Sequence, residues 1–334
     1  MNPKENALEV IRFGAPERVP FGVPCRRIAY LGCDHQGYAG GGHHLPVGSK
    51  WTDIWGTVWR REHEGVMGFP RGCPLADFPG AMKSYEWPDP DDERLVSQIS
   101  EQAEAARAEG LDVFLQGAHR DTLWEKAYML VGMEDLMVFL YTEREAVREL
   151  FHRIMDFQLG IAKHYTAAGV EMVALGDDLG MQSGPLLPPD IVGEMLVPEY
   201  RRLCEFHRSG GRLIHFHSCG NVVQLLETFI DLGIDILNPV QATANDLDEF
   251  RRITQGRMAI HGAVDSDVIV DGPPERIRAL VRERIWQLGR NGGYFCGPDQ
   301  GMPWPAAHHE AAREAAEEYG VYPLKPPEEP AGDA

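Results

Sequence analysis

The chain has 334 residues, 43% hydrophobic and 25% charged, an ordinary balance for a globular protein able to bury a large core. Its net charge is −19, from 32 basic and 51 acidic residues, and no basic stripe interrupts it, which argues against nucleic acid as a partner. No run approaches the roughly 20 apolar residues of a membrane span, and Met1-Asn2-Pro3-Lys4-Glu5-Asn6 lacks the apolar core of a signal peptide, so a cytoplasmic protein is expected.

Apolar spacing predicts a first helix over residues 4–13 and then a short strand over 18–24. Residues 38–59 are rich in Gly, His and aromatics, including His43-His44. Such length and glycine content mark a functional loop or lid, within which 51–59 reads as a second strand. The Pro- and Asp-rich residues 86–92 read as a connector inside one domain. From residue 93 the pattern turns regular. A helix ends at Gly110 and a strand covers 113–115. A capping box with Thr142 as N-cap and Glu145 at the third position then opens a helix. Val147, Leu150, Phe151, Ile154, Phe157 and Ile161 recur along it at helical spacing until Gly169. Further strands fall at 172–175, 213–216, 234–237, 258–261 and 293–295, with helices over 190–208, 221–232, 245–254, 273–289 and 305–319.

Strands near 20, 55, 113, 173, 214, 236, 259 and 294, separated by amphipathic helices, imply parallel βαβ units. Eight such units favour an α/β fold of one kind: a single (β/α)8 TIM barrel over residues 1–324. It has an N-terminal helix and a long Gly/His/Trp-rich insertion after the first strand. No G-x-G-x-x-G follows the first strand, which weakens an open doubly wound sheet. Residues 325–334 are predicted to be a disordered tail.

Reactive groups in such barrels sit just after the strands. In strand order these are Cys25, Arg26 and Arg27; Asp53, Trp55 and Trp59; Gln116 and His119; Asp177 and Asp178; His217 and Cys219; Asn238 and Gln241; His261 and Asp265; and Cys296 with Asp299. His217 and Cys219, two apart on an extended segment, share a face. An imidazole with a thiolate suits zinc, and the barrel brings the strand end of Cys296 to the same rim. Three ligands leave a fourth position for substrate, with Asp177 or Asp178 as candidate fourth ligand, proton acceptor or partner of His217. The same residues admit a plainer reading, in which Cys219 and Cys296 are small buried hydrophobes, the two aspartates cap a loop and Asn221 caps a helix. His119 is a further catalytic candidate. Arg26, Asp53, Gln116, Asn238, Gln241 and Asp265 are candidate substrate contacts. Met181 and Trp304, with Trp55 and Trp59, belong to an apolar pocket or to the core. The six cysteines lack the dense spacing of a secreted disulfide framework.

Phe216-His217-Ser218-Cys219-Gly220-Asn221 together with Tyr294-Phe295-Cys296-Gly297 resembles the His-x-Cys…Cys zinc signature of the uroporphyrinogen decarboxylase-like methyltransferases. These include methylcobamide:coenzyme M methyltransferases and the methyltransferases of corrinoid-dependent demethylation systems. Glu17-Arg18-Val19-Pro20-Phe21, Gly176-Asp177-Asp178-Leu179-Gly180 and Pro198-Glu199-Tyr200 resemble the wider superfamily. The resemblance covers nearly the whole chain and implies a (β/α)8 barrel holding zinc on His217, Cys219 and Cys296. Zinc deprotonates a bound thiol or polarises an ether oxygen, and in the family the methyl group's other station is the cobalt of a corrinoid. The chain has no Asp-x-His-x-x-Gly cobalamin signature, so the resemblance implies a separate corrinoid protein as partner; a homodimer is left open. Two readings compete. A zinc thiol alkyltransferase would work without corrinoid. A tetrapyrrole carboxy-lyase would work without metal, and Asp53 sits where the decarboxylases keep their central aspartate. Cys25-Arg26-Arg27-Ile28-Ala29-Tyr30, however, departs from their Arg-Gln-Ala-Gly-Arg-Tyr segment.

Overall fold

The structure is a computed structural model that describes residues 1–35, 37–38, 44–64 and 67–327. His43 of the expected lid and the tail from residue 328 lie outside the described residues. The chain gathers into two compact units. A central unit contains Arg26–Asp178 and Leu187–Ile214; a carboxyl-terminal unit contains Met1–Cys25, Leu179–Leu186 and His215–Ala334. The described strands are β1 (Cys25–Ile28), β2 (Lys50–Thr52), β3 (Val58–Arg60), β4 (Phe69–Gly72), β5 (Phe114–His119), β6 (Met172–Gly176), β7 (Leu213–His217), β8 (Ile236–Val240), β9 (Ala259–Val264) and β10 (Tyr294–Pro298). From β5 onward they alternate with helices, as in an α/β protein.

In the central unit β5 runs parallel to β6, with Gln116 opposite Met172 and His119 opposite Leu175. All six residues of β5 are buried, as expected of a parallel strand covered on both faces. The helix Arg144–Ala167 connects into β6 and buries the predicted stripe from Val147 to Ile161. It ends as expected, with Gly169 at φ +70°. Its start differs. Thr142 closes a preceding helix, Met133–Thr142, and its hydroxyl donates to Val138 O at 3.2 Å. Glu143 is the N-cap residue and makes no side-chain cap. The predicted capping box does not form because the threonine's hydroxyl is used by the carbonyl four residues back.

Residues 51–59 are not a parallel strand. β2 and β3 form an antiparallel hairpin, with Trp51 opposite Trp59, and β4 completes a three-stranded sheet. Asp53 explains the reversal. Its Oδ1 accepts from Trp55 N at 2.9 Å and Thr57 N at 3.0 Å, its Oδ2 from Trp59 Nε1 at 2.8 Å, and Gly56 supplies φ +80°. Trp55 and Trp59 are buried.

In the carboxyl-terminal unit the last three residues of β7, then β8, β9 and β10, are parallel neighbours in chain order, with His217 opposite Asn238 and Cys296 opposite Gly262. The helices Leu226–Asp231, Leu247–Thr254 and Pro274–Gly289 connect them. The first helix, Pro3–Ile11, is fixed by an Asn2/Glu5 capping box. The expected strand near residue 20 is reduced to a parallel bridge from Phe21 to Cys296. No helix among the described residues is long and apolar enough to cross a membrane.

Candidate metal centre

Strand β7 alternates in burial. Ile214 and Phe216 are fully buried, Phe216 against Phe229 at 5.1 Å between rings, while His215 and His217 lie half-buried on the other face. His217 Nδ1 lies 2.9 Å from Asn238 Oδ1, its partner in register on β8. Since a carbonyl oxygen only accepts, the proton sits on Nδ1, and Nε2 carries the lone pair that a metal would take. That Nε2 lies 3.3 Å from Cys219 Sγ.

The loop carrying Cys219 is held from several sides. The Gly220 amide donates to Gln241 Oε1, and Asn245 Nδ2 donates to Gly220 O at 3.0 Å. Asn221 Nδ2 donates to Ala244 O at 2.7 Å, and the Leu179 amide donates to Ser218 Oγ at 3.0 Å. Gly220 has φ +82°, and a Cβ there would stand 2.3 Å from the Gly180 carbonyl carbon, so only glycine fits. The thiol and the imidazole are therefore placed before any ligand arrives. Zinc in tetrahedral geometry would set its nitrogen and sulfur donors about 3.5 Å apart. The observed separation and the oriented imidazole fit that ion.

Cys296 does not join them. The candidate metal-holding group of the described residues contains His217 and Cys219 and leaves Cys296 out. Strand parity gives the reason. Phe295 and Gly297 face His261, whose ring lies 5.8 Å from that of His215, on the face of β7 that also carries His217. Tyr294 and Cys296 point the opposite way, and a Cβ on Gly289 of the helix Pro274–Gly289 would meet the Tyr294 ring. Burial pushes the Cys296 thiol up to about 12.

The residue from this strand end that does reach Cys219 is Gln300, which sequence reasoning passed over. Its Nε2 donates to Cys219 Sγ at 3.0 Å. The signal that would have found it is strand length: β10 runs on to Pro298, so the rim begins at Asp299 and not at Cys296. A cavity of about 120 Å³ opens there, lined among others by Gln241, Thr243, Asp265, Asp299 and Gln300. It brings the predicted contacts Gln241 and Asp265 together, Asp265 also pairing with Arg284 at 3.3 Å. Met181 is 47% exposed and its carbonyl accepts from the Asn221 amide at 2.6 Å; Trp304 stacks on His309.

The remaining predicted residues belong to the central unit. Asp177, fully buried, accepts from Leu123 N at 2.8 Å and Tyr200 Oη at 2.6 Å on Oδ2, and from Glu125 N at 2.7 Å on Oδ1. It thereby ties down the start of the helix Trp124–Val131, while burial pushes its carboxyl up to about 7. His119 is buried between Gln158 and His207. Gln116 donates to Met172 Sδ at 3.2 Å, and Arg26 pairs with Glu109 in a solvent-exposed position. Asp53 is spent on the hairpin.

The chain belongs to the uroporphyrinogen decarboxylase (URO-D) family, whose model matches residues 79–319. A solved structure of a methyltransferase from Methanosarcina mazei is similar over 96% of this chain and 99% of that one, at 18% identity with a TM-score of 0.72, which shows a shared fold. A B12-independent methionine synthase from Shewanella sp. W3-18-1 in complex with selenomethionine is similar over 65% of this chain and 64% of that one, at 14% identity with a TM-score of 0.45, too low to carry an argument. No curated protein matches the chain.

Proposed function

We propose that this protein is a zinc-dependent methyltransferase. It moves a methyl group between a small methylated or methoxylated compound, or a thiol, and the cobalt of a separate corrinoid protein. The observation that carries the reading is the His217–Cys219 pair at the end of β7, 3.3 Å apart, with its imidazole oriented by Asn238. The end-to-end likeness to a methyltransferase supports it. The reading includes a closed (β/α)8 barrel, of which the parallel β/α succession is the observed part.

His217 Nε2 and Cys219 Sγ would hold the ion, which when bound supplies Lewis acidity to a thiol or an ether oxygen. Asp178 is assigned as the carboxylate ligand. It is joined directly to Leu179, whose amide is fixed on Ser218, and both oxygens of Asp177 are already engaged. Asn238 keeps the proton on His217 Nδ1, and Gln241 steadies the Cys219–Gly220 turn. Gln241 and Asp265 line the small cavity, where they would contact substrate.

Purified protein should carry about one zinc per chain and lose it in Cys219→Ser. It should transfer methyl groups from methylcobalamin to a thiol, or from a methoxyaromatic to reduced cobalamin. A native protein without metal and without either transfer would overturn the reading; turnover of a tetrapyrrole carboxylate by that protein would favour the carboxy-lyase.

A further inference from the structure

We infer that Gln300, just past β10, stands where a second thiolate would enter and positions Cys219 through an N–H···S hydrogen bond, so that the centre carries one thiolate and not two. The inference rests on the metal reading above.

Three observations lead to it. The only cysteine of the β10 segment, Cys296, lies on the face of the strand turned away from His261 and outside the group that contains His217 and Cys219. The chain that continues past β10 is latched. The Gln300 amide donates to Ser266 Oγ at 2.9 Å, the same hydroxyl donates to Gln300 O at 2.9 Å, and the Ser266 amide donates to Asp299 Oδ1 at 2.9 Å. The backbone of Gln300 is thus fixed to the start of the helix Ser266–Asp271. From that fixed point its side-chain amide reaches Cys219 Sγ at 3.0 Å.

The chemistry follows from the groups. A glutamine amide offers two N–H donors and one neutral oxygen acceptor. An N–H aimed at sulfur draws electron density from it and holds its rotamer, without adding the negative charge a second thiolate would bring. A centre arranged this way gives less electron density to the ion, which keeps more of its Lewis acidity. Gln300 is therefore a positioning residue, acting through Cys219.

Cobalt(II) in place of zinc reports this directly, because the sulfur-to-cobalt charge-transfer band scales with the number of thiolates bound. The protein should show a one-thiolate band that Cys296→Ser leaves unchanged. Gln300→Ala should keep that intensity and move the band to longer wavelength, as the sulfur loses its hydrogen bond. Gln300→Cys should about double the band and slow loss of the metal to a competing chelator at least tenfold. A band halved by Cys296→Ser, or one unmoved in Gln300→Ala, would overturn the inference while leaving the metal reading intact. Absence of both cobalt and zinc uptake by the unaltered protein would remove the metal reading, and this inference with it.

Discussion

His119 and His217 each end a parallel strand, β5 in the central unit and β7 in the carboxyl-terminal unit, and they are used in opposite ways. His119 is fully buried, with Nδ1 2.8 Å from Gln158 Oε1 and Nε2 3.1 Å from His207 Nε2. Arg212 Nε donates to His207 Nδ1 at 3.3 Å. Because arginine only donates, the direction of the whole chain is set. His207 carries its proton on Nε2 and gives it to His119 Nε2, and His119 Nδ1–H donates to Gln158. Both rings are neutral, burial holding His119 down to about 4 and His207 down to about 2. No nitrogen of His119 is left for a substrate or a metal. His217 also spends one nitrogen on a neighbouring amide, but the other faces a thiol on a half-exposed loop. A histidine whose two nitrogens are both consumed is scaffold; one oriented on one side and facing sulfur on the other has the arrangement that the proposed metal site requires.

This contrast is tested most strongly at the metal pair. Cys219→Ser should remove several kcal/mol of transition-state stabilisation, about a thousandfold in methyl transfer, and empty the site of zinc by elemental analysis. Cys296→Ser should leave zinc content unchanged; zinc lost equally in both variants would sink the assignment of Cys296 to the core. Next in size is Asn238→Leu, which frees the His217 tautomer and should weaken zinc about 10- to 100-fold in chelator competition.

His119→Phe probes the other side of the contrast. It strips partners from Gln158 and His207, each worth about 1–3 kcal/mol when left unsatisfied, and urea unfolding should register that loss with zinc content intact. The pH dependence has a definite sign. His119 has a lowered pKa in the folded state, so its contribution is full above about pH 6.5, the unfolded value, and is lost as pH falls toward about 4. The stability advantage of the unaltered protein over His119→Phe should shrink over that window; an advantage that is constant from pH 7 to 4.5 would rule out the neutral histidine chain. Smallest of all, Thr142→Ala should change stability by less than about 0.5 kcal/mol, where loss of a working N-cap would cost about 1 kcal/mol.

The β/α succession was legible because each helix must bury one stripe and each parallel strand is a short, largely apolar run. Both patterns are local and survive in one dimension. The stripe from Val147 to Ile161 and the alternation of β7 follow from periodicity alone, and so does the pairing of His217 with Cys219, which needs only that residues two apart share a face. The hairpin at 51–59 was not legible as such. Its aromatic run reads as one strand until Asp53 collects three donors and Gly56 turns the chain back. Asp177 and Asp178 look equivalent in sequence, and only packing commits the first to Leu123, Glu125 and Tyr200.

What the chain by itself determined is the parallel strands from β5 onward, the helices between them and a nitrogen–sulfur donor pair at one strand end. What only the tertiary structure decided is which residues meet that pair. Cys296 is the right residue type near the right strand end, yet register and pleat turn it away, and Gln300 arrives instead from beyond the strand. The physical reason is that a pleated strand shows alternate residues to opposite faces, so a ligand's place depends on where pairing starts and stops. Pairing is a property of two strands at once, and no single stretch of sequence contains it.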